Sequence, residues 1–409
     1  HACREALAQG RSPAGGPFEW FFPMPRSSST PPLEGCSALI LGGGVAGLAA
    51  GLALRGKGCE VAVLEQSSSI REVGAGLQIS PNGTRVLRAL GLEPGDFALR
   101  TRAIELRNAR GRLVTRLEPP AAPGFYLMHR ADLVAALAEG FRQAGGTIRL
   151  ATQAMAVTLN AEGAQVETAS GAALETPLLI GADGLHSQTR TALNQPSSPF
   201  FTGQVAWRAT IPGDGGPPVA QVFMGPGRHL VSYPLRGGAL RNIVAVEERS
   251  AWAAEGWHHS DSPENLRAAF VGFGGPVPEW LGAVRETFLW GLFRHPVAER
   301  WQDGRGRAAI LGDAAHPTLP FMAQGANLAL EDAWVLARSL AAMPDDPTTA
   351  LTQYQNIRAP RARAVVAAAN GNARAYHLRA PLAPLAHAIL RLGDRVAPGL
   401  PFRRYAWVH

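Results

Sequence analysis

The chain has 409 residues, more than a single hydrophobic core ordinarily supports, so at least two packed units are expected. Its 46% hydrophobic content suits a globular protein, and no uninterrupted apolar run is long enough to span a bilayer, so stable membrane insertion is not expected. Lys and Arg outnumber Asp and Glu by 39 to 32, and the net charge of +7 favours anionic ligands without naming one.

The densest basic stretch, Arg358, Arg361 and Arg363, has no interleaved aromatics and reads as a solvated helix face, so no nucleic-acid partner is expected. Cys3, Cys36 and Cys59 lack metal-ligand spacing and cannot all pair, which fits a reducing, cytoplasmic setting. Residues 1–34 are rich in Pro, Ser and Gly, lack an apolar signal core, and read as a disordered extension.

In chain order, the apolar run Ala38 to Leu41 ends in Gly42-Gly43-Gly44-Val45-Ala46-Gly47, and small helix formers follow through Leu54. This is strand, turn and helix. A second apolar run, Val61 to Leu64, is closed by Glu65 and completes a βαβ unit. Ala131 to Gln143 puts Leu133, Leu137 and Phe141 on one helical stripe, and Gly145-Gly146 stops it. Short alternating runs then predict a meander leading to the strand Leu178 to Ile180.

Between residues 200 and 294 the sequence turns rich in Trp, Phe, Tyr, Gly and Pro, with strands expected at 220–224, 229–235 and 242–247. Ala308 to Leu311 returns to the buried-strand pattern, and helices fill most of the remainder. The fold class is therefore α/β: a three-layer Rossmann-like nucleotide domain with an inserted sheet-rich domain and C-terminal helices. The expected bounds are 35–105, 125–195 and 295–340 for the discontinuous nucleotide domain, 106–124 and 196–294 for the second, and 341–409 for the helical region.

In Gly42-x-Gly44-x-x-Gly47 the glycines serve a tight turn, close approach of backbone to a pyrophosphate, and close packing of helix on strand. The helix that follows offers N–H groups and a positive dipole end to the phosphates. Glu65, about twenty residues on, is placed to accept hydrogen bonds from ribose hydroxyls and repels a 2′-phosphate. Asp313 emerges at the carboxyl end of a buried strand, and Gly325, Ala326 and Asn327 open a helix whose amides could face a developing anion such as a reduced flavin.

The glycine turn with Glu65, the segment Gly181-Ala182-Asp183-Gly184-x-x-Ser187-x-x-Arg190, and Gly312-Asp313 with Pro317 together resemble the single-component FAD-dependent aromatic hydroxylases of the para-hydroxybenzoate hydroxylase fold. Gly74 to Asn82, Met128 to Leu133 and Gly227 to Pro234 look most like the salicylate-hydroxylase-like branch, and the similarity runs from about Cys36 to about Trp407. This resemblance implies FAD contacts at Arg130 and Asp313, a shared role of Asp183 and Gly184 toward FAD and the reductant, backbone contacts from Gly325, Ala326 and Asn327 to the flavin ring, and Pro320 close to that ring. It also implies NADH or NADPH as a transient reductant, O2 as co-substrate, oxygen transfer through a flavin C4a-hydroperoxide, and a small aromatic substrate. Assembly is left open between monomer and homodimer.

A phenol reacts faster when ionised, and a ring carboxylate favours Arg or His, so Gln78, Trp207, Arg208, His229 and Tyr233 are the pocket candidates. On the strand 229–235, His229, Val231 and Tyr233 share one face. His258, His259 and His295 read as exposed loop residues and not a metal site, and His316 as a residue that shapes its turn. Trp252, Trp257, Trp280 and Trp290 read as core or interface. Two other readings stand beside the hydroxylase: a flavin-dependent reductase of the same fold, and a redox-inactive FAD-binding interaction protein.

Overall fold

The computed structural model describes residues 31–70, 76–250 and 259–396. Ser37–Leu41 lies at the centre of a five-stranded parallel sheet, ordered Ala308–Ile310, Leu178–Gly181, Ser37–Leu41, Glu60–Leu64, Thr147–Arg149. Its central strands are largely apolar because helices and a second sheet cover both faces. Against one face pack the helices Val45–Arg55, Arg130–Gln143 and Gly325–Ala342. Leu133, Leu137 and Phe141 are all fully buried, and a Cβ at Gly51 would lie 2.8 Å from the Phe141 ring, so this glycine sets how closely the first two helices approach. The antiparallel sheet of Ala154–Leu159, Ala164–Thr168 and Ala173–Thr176 forms the third layer with the short helix Gln188–Leu193.

The second unit is an eight-stranded sheet ordered Ser260–Asp261, Thr287–Arg294, Phe200–Pro212, Leu240–Glu248, Arg228–Leu235, Val219–Gly225, Ala103–Asn108, Leu113–Leu117. Alternation divides its residues between two faces. Trp207, Phe223, Leu230 and Ile243 point to one, under the helices Pro263–Ala269 and Val277–Ala283. Ala206, Val246, Trp290 and Leu292 point to the other and pack with Phe321 from the loop after Asp313. A small sheet of Gly76–Ile79, Tyr126–His129 and Leu99–Arg100 bridges the two units.

Two expectations need correction. Residues 31–34 are not part of an extension: Leu33 is buried in the nucleotide-domain core, and its N–H donates to the Lys57 carbonyl at 2.9 Å. Arg358 and Arg361 do not form a solvated face; only Arg363 of the three is exposed. Arg358, on the long helix Pro347–Tyr376, is completely buried and pairs with Glu331 and, at 2.7 Å, with Asp332. Arg361 joins it, donating to Glu331 at 2.6 Å. The error lies in treating a run of like charges as free when its counter-charges sit on another helix.

Burial alone would raise the Asp332 carboxyl, but His316 and Arg358 outweigh it and hold it at about 2. The folded value lies below the ordinary 3.8, so its stabilisation is present above that pH and lost as pH falls toward 2. Arg358→Met, which removes the cation that two buried carboxylates share, is expected to cost about 3–5 kcal/mol, read as a lower urea midpoint. Asp332→Asn should flatten the acid-induced loss of stability between pH 4 and 2; an unchanged profile would show that this pair contributes nothing there.

Candidate active site

At the carboxyl end of Ser37–Leu41 the chain turns through Gly42, whose φ of 101° and N–H bond to the Leu64 carbonyl leave no room for a side chain. A Cβ there would lie 2.4 Å from the Ala182 carbonyl oxygen, and one at Gly47 would lie 2.0 Å from the Gly42 oxygen. Gly44 is the N-cap of Val45–Arg55, whose first turn carries no acidic residue, so its positive end stays open to an anion. Glu65 accepts the Gly43 N–H at 2.7 Å and the Ser67 N–H at 2.8 Å, so this carboxylate also holds the turn in shape.

Asp183 is likewise engaged locally. Its carboxylate accepts from the Ser187 hydroxyl at 2.5 Å and the Gln188 N–H at 2.8 Å, capping the helix Gln188–Leu193. Burial nevertheless raises its pKa. Gly184 follows with φ 73°. Arg190 extends from that helix to the Pro296 carbonyl at 2.7 Å and the Ala314 carbonyl at 3.2 Å, tying this segment to the Asp313 turn.

The Gly312–Ala314 turn follows the edge strand Ala308–Ile310. Gly312 adopts φ 60°, a Cβ on it would lie 2.9 Å from the Ala46 Cβ, and Asp313 is exposed beside the glycine turn. Asp332 fixes this turn by accepting the Gly312 N–H at 3.0 Å and bonding the buried His316 ring, which packs on Trp301. His316 thus shapes its turn as expected. After Pro317 and the exposed Pro320, the helix Gly325–Ala342 begins.

Asn327 works through its side chain as well as its place in the first turn. Its Oδ1 accepts the Ser80 N–H at 3.0 Å, while its Nδ2 donates to the Gln78 carbonyl at 3.0 Å and the Ala323 carbonyl at 2.8 Å. Glu331 adds a second tie, accepting from Asn82 at 2.7 Å. The helix start and the Gly76–Ile79 strand therefore form one rigid corner. Arg130, the first residue of its own helix, faces Asp313; burial lowers its pKa and the carboxylate partly offsets that.

Tyr233, Gln78 and Arg208 come together on the inner face of the large sheet. Tyr233 is buried against Gly76 and hydrogen-bonded to the Gln78 side chain; burial raises its pKa, so it stays protonated. Burial pulls Arg208 down to about 10, opposed by Tyr233 and assisted by Arg130, and the group keeps its charge at neutral pH. Its guanidinium lies over Trp290 at 4.9 Å. His229, on the same face two pleats away, sits with Phe321, Tyr376 and His377 instead.

Trp207 is a correction: it points to the opposite face, fully buried, with its indole N–H on Asp261 at 2.6 Å. Its neighbour Arg208 takes the inner position because successive strand residues alternate. His295 is half-buried, not exposed, while His259 is exposed; His258, Trp252 and Trp257 lie outside the described residues. Trp280 and Trp290 are buried in the two sheet cores. Sequence reading missed Glu248, Glu331, Asp332 and His377, none of which belongs to a local motif.

The parallel sheet, glycine turn, Asp313 corner and inserted sheet define a two-domain FAD-binding flavoprotein. The chain belongs to the FAD_binding_3 family, described as an FAD binding domain, whose pattern matches residues 35–369. It is 36% identical to 3-amino-4-hydroxybenzoate 2-monooxygenase PtnB3 of Streptomyces platensis, over 90% of this chain and 94% of that one. It is 32% identical to 3-hydroxybenzoate 6-hydroxylase of Klebsiella oxytoca, over 83% and 88%. The structure of Klebsiella pneumoniae HpxO complexed with FAD and uric acid superposes with a TM-score of 0.77 at 25% identity, covering 89% and 95%. The chain is an FAD-dependent aromatic monooxygenase, of a family in which NAD(P)H is the typical reductant.

No described helix is long and apolar enough to cross a membrane. Asn327→Ala leaves the Ser80 N–H and Gln78 carbonyl unpaired and is expected to cost about 1–3 kcal/mol. If the corner shapes the cofactor site, FAD affinity measured by flavin fluorescence should fall with it; wild-type affinity would refute that link.

Proposed function

We propose that the protein hydroxylates an aromatic carboxylic acid bearing a phenolic hydroxyl, binding it between the helix start at Gly325 and the inner face of the large sheet. The observation that carries this reading is the grouping of Arg208, Tyr233 and Gln78 on a face otherwise walled by Trp290, Phe321 and Val246. A half-buried guanidinium attracts a carboxylate, while an un-ionised tyrosine and an amide orient polar ring substituents. The names of the two hydroxybenzoate-acting relatives support the same substrate class.

The residues present fit FAD. The glycine turn and the following helix end would receive the pyrophosphate, Glu65 the ribose, Asp313 and Arg130 the ribityl side, and Gly325, Ala326 and Asn327 the ring. Asp183 and Gly184 would lie toward both FAD and the reductant, with Pro320 over the ring edge. When bound, FAD accepts a hydride from NAD(P)H and activates O2 for transfer of one oxygen atom. The protein's part is to orient the substrate ring, to keep water out with the apolar wall, and to accept the phenolic proton. His229, on the same face, is a neutral ring that could take part in that last task, although burial and His377, which hold its pKa well below the ordinary value, oppose its keeping the proton.

Hydroxybenzoates should raise NAD(P)H consumption with a hydroxylated product, and the corresponding benzamides should do so far less. Arg208→Gln should raise KM for the acid by about 10–100-fold, the worth of a charged hydrogen bond, and leave the amide unaffected. Equal losses for acid and amide would overturn the role of Arg208 in reading the carboxylate.

A further inference from the structure

The last described helix, Leu382–Val396, carries apolar side chains on two faces. Toward the protein, Ala383, Ala386, His387 and Leu390 are half-buried, and Leu390 packs against the cluster of Val114, Val222 and Met224 at the edge of the large sheet. Away from it, Leu382, Leu385, Ile389 and Leu392 recur at intervals of three and four residues and so line a second face. Each of the four is between 59% and 62% exposed. Pro384 and Ala388, in the row beside them, are exposed as well.

Single exposed leucines are ordinary, but a contiguous row of four on a helix already anchored by its other face marks a contact surface. The anchor matters for what the row can do. Because the helix rests on the strand Leu113–Leu117, the row is presented as a fixed ridge.

Charge decides what the ridge meets. Residues 374–409 contain six Arg and one acidic residue, Asp394. Arg391 is exposed at the flank of the ridge, and Arg379, just before the helix, is 72% exposed although Glu248 lies 3.2 Å away. A second copy of the chain would bring this basic rim against itself, and the sequence beyond the helix adds Arg403 and Arg404 instead of counter-charge. An anionic lipid surface answers both features. Its headgroups attract the arginines, and its acyl boundary takes up the leucines. Phe402, Tyr405 and Trp407, next in the sequence, are of the aromatic types that favour that boundary.

We propose that Leu382–Val396 is a docking helix that seats the protein on an anionic bilayer surface. The helix has 15 residues, about 22 Å of length, and no described helix is long and apolar enough to cross a membrane, so the contact is peripheral, with the helix lying in the plane of the surface. It is independent of which ring the enzyme hydroxylates.

The test is co-sedimentation of the full FAD-loaded chain with vesicles of phosphatidylcholine alone or of phosphatidylcholine mixed with phosphatidylglycerol. Binding to the mixed vesicles should be tighter by about tenfold or more and should weaken in high salt, the scale expected of two or three surface arginines. Leu385→Glu combined with Ile389→Glu should weaken it by about 100-fold, with the flavin spectrum and melting temperature unchanged because both side chains are exposed. Arg391→Glu should reduce the preference for phosphatidylglycerol. Equal binding to both vesicle types, no binding to either, or undiminished binding of the double variant would overturn the proposal. So would a dimer that the double variant splits while no vesicle is bound, which puts a second copy on the ridge. Binding that appears only once residues 397–409 are removed would overturn it too, because the chain's own end then covers the row.

Discussion

The completely buried Arg358 guanidinium organises the flavin side of this molecule. Two adjacent carboxylates meet it, and each carries the constraint in a different direction. Asp332 passes it to Gly312 and His316, and so to the turn that exposes Asp313. Glu331 passes it to Asn82, and so to the Ser80 corner that Asn327 also grips. Burying such charges would be unfavourable one at a time; together, with Arg361 and the Gly312 N–H completing the set, they satisfy one another. A cofactor site assembled from widely separated stretches of chain gains a fixed reference point.

The large sheet supplies a different kind of order. Its outer face is closed by two short helices into an ordinary core, which frees the inner face to be chosen for ligand contact. The alternation that turns Trp207 outward turns Arg208 inward, and the pairing of Tyr233 with the Gly76 strand joins the sheet to the nucleotide domain. The polar groups around Arg208 on this face are an un-ionised phenol and an amide, and the Glu248 carboxylate at the strand end is occupied by His377 and Arg379.

Legibility in the sequence followed locality. The glycine turn, Glu65 and the Gly312-Asp313 strand end are short motifs whose geometry is set by neighbouring residues, and their backbone could be inferred from spacing alone. Their side-chain partners could not. Glu65 and Asp183 serve nearby amides, a use that a motif does not announce. Arg358 was misread because helical periodicity identifies a face without saying whether that face meets water or another helix. His229 was identifiable as a strand residue near Tyr233, but Glu248 and His377 lie on other elements, and His377 is 148 positions away in sequence. Trp207 failed for a simpler reason: a strand of 13 residues offers two equal faces, and which one turns inward depends on the helices laid against it.

The Asn327 side chain binds the strand residue Gln78 and the helix corner through a single amide, so the distance between these two pieces of the floor cannot vary independently. The opposite wall is a sheet whose inward side chains can be exchanged without moving its backbone. Diversification of such a scaffold is therefore lopsided: the floor is inherited as a unit, while new ring sizes and substituents are accommodated by one-residue changes in the ceiling. A library meant to retarget this protein belongs on positions 206, 208, 231, 244 and 246, with residues 78–82 and 324–332 held constant.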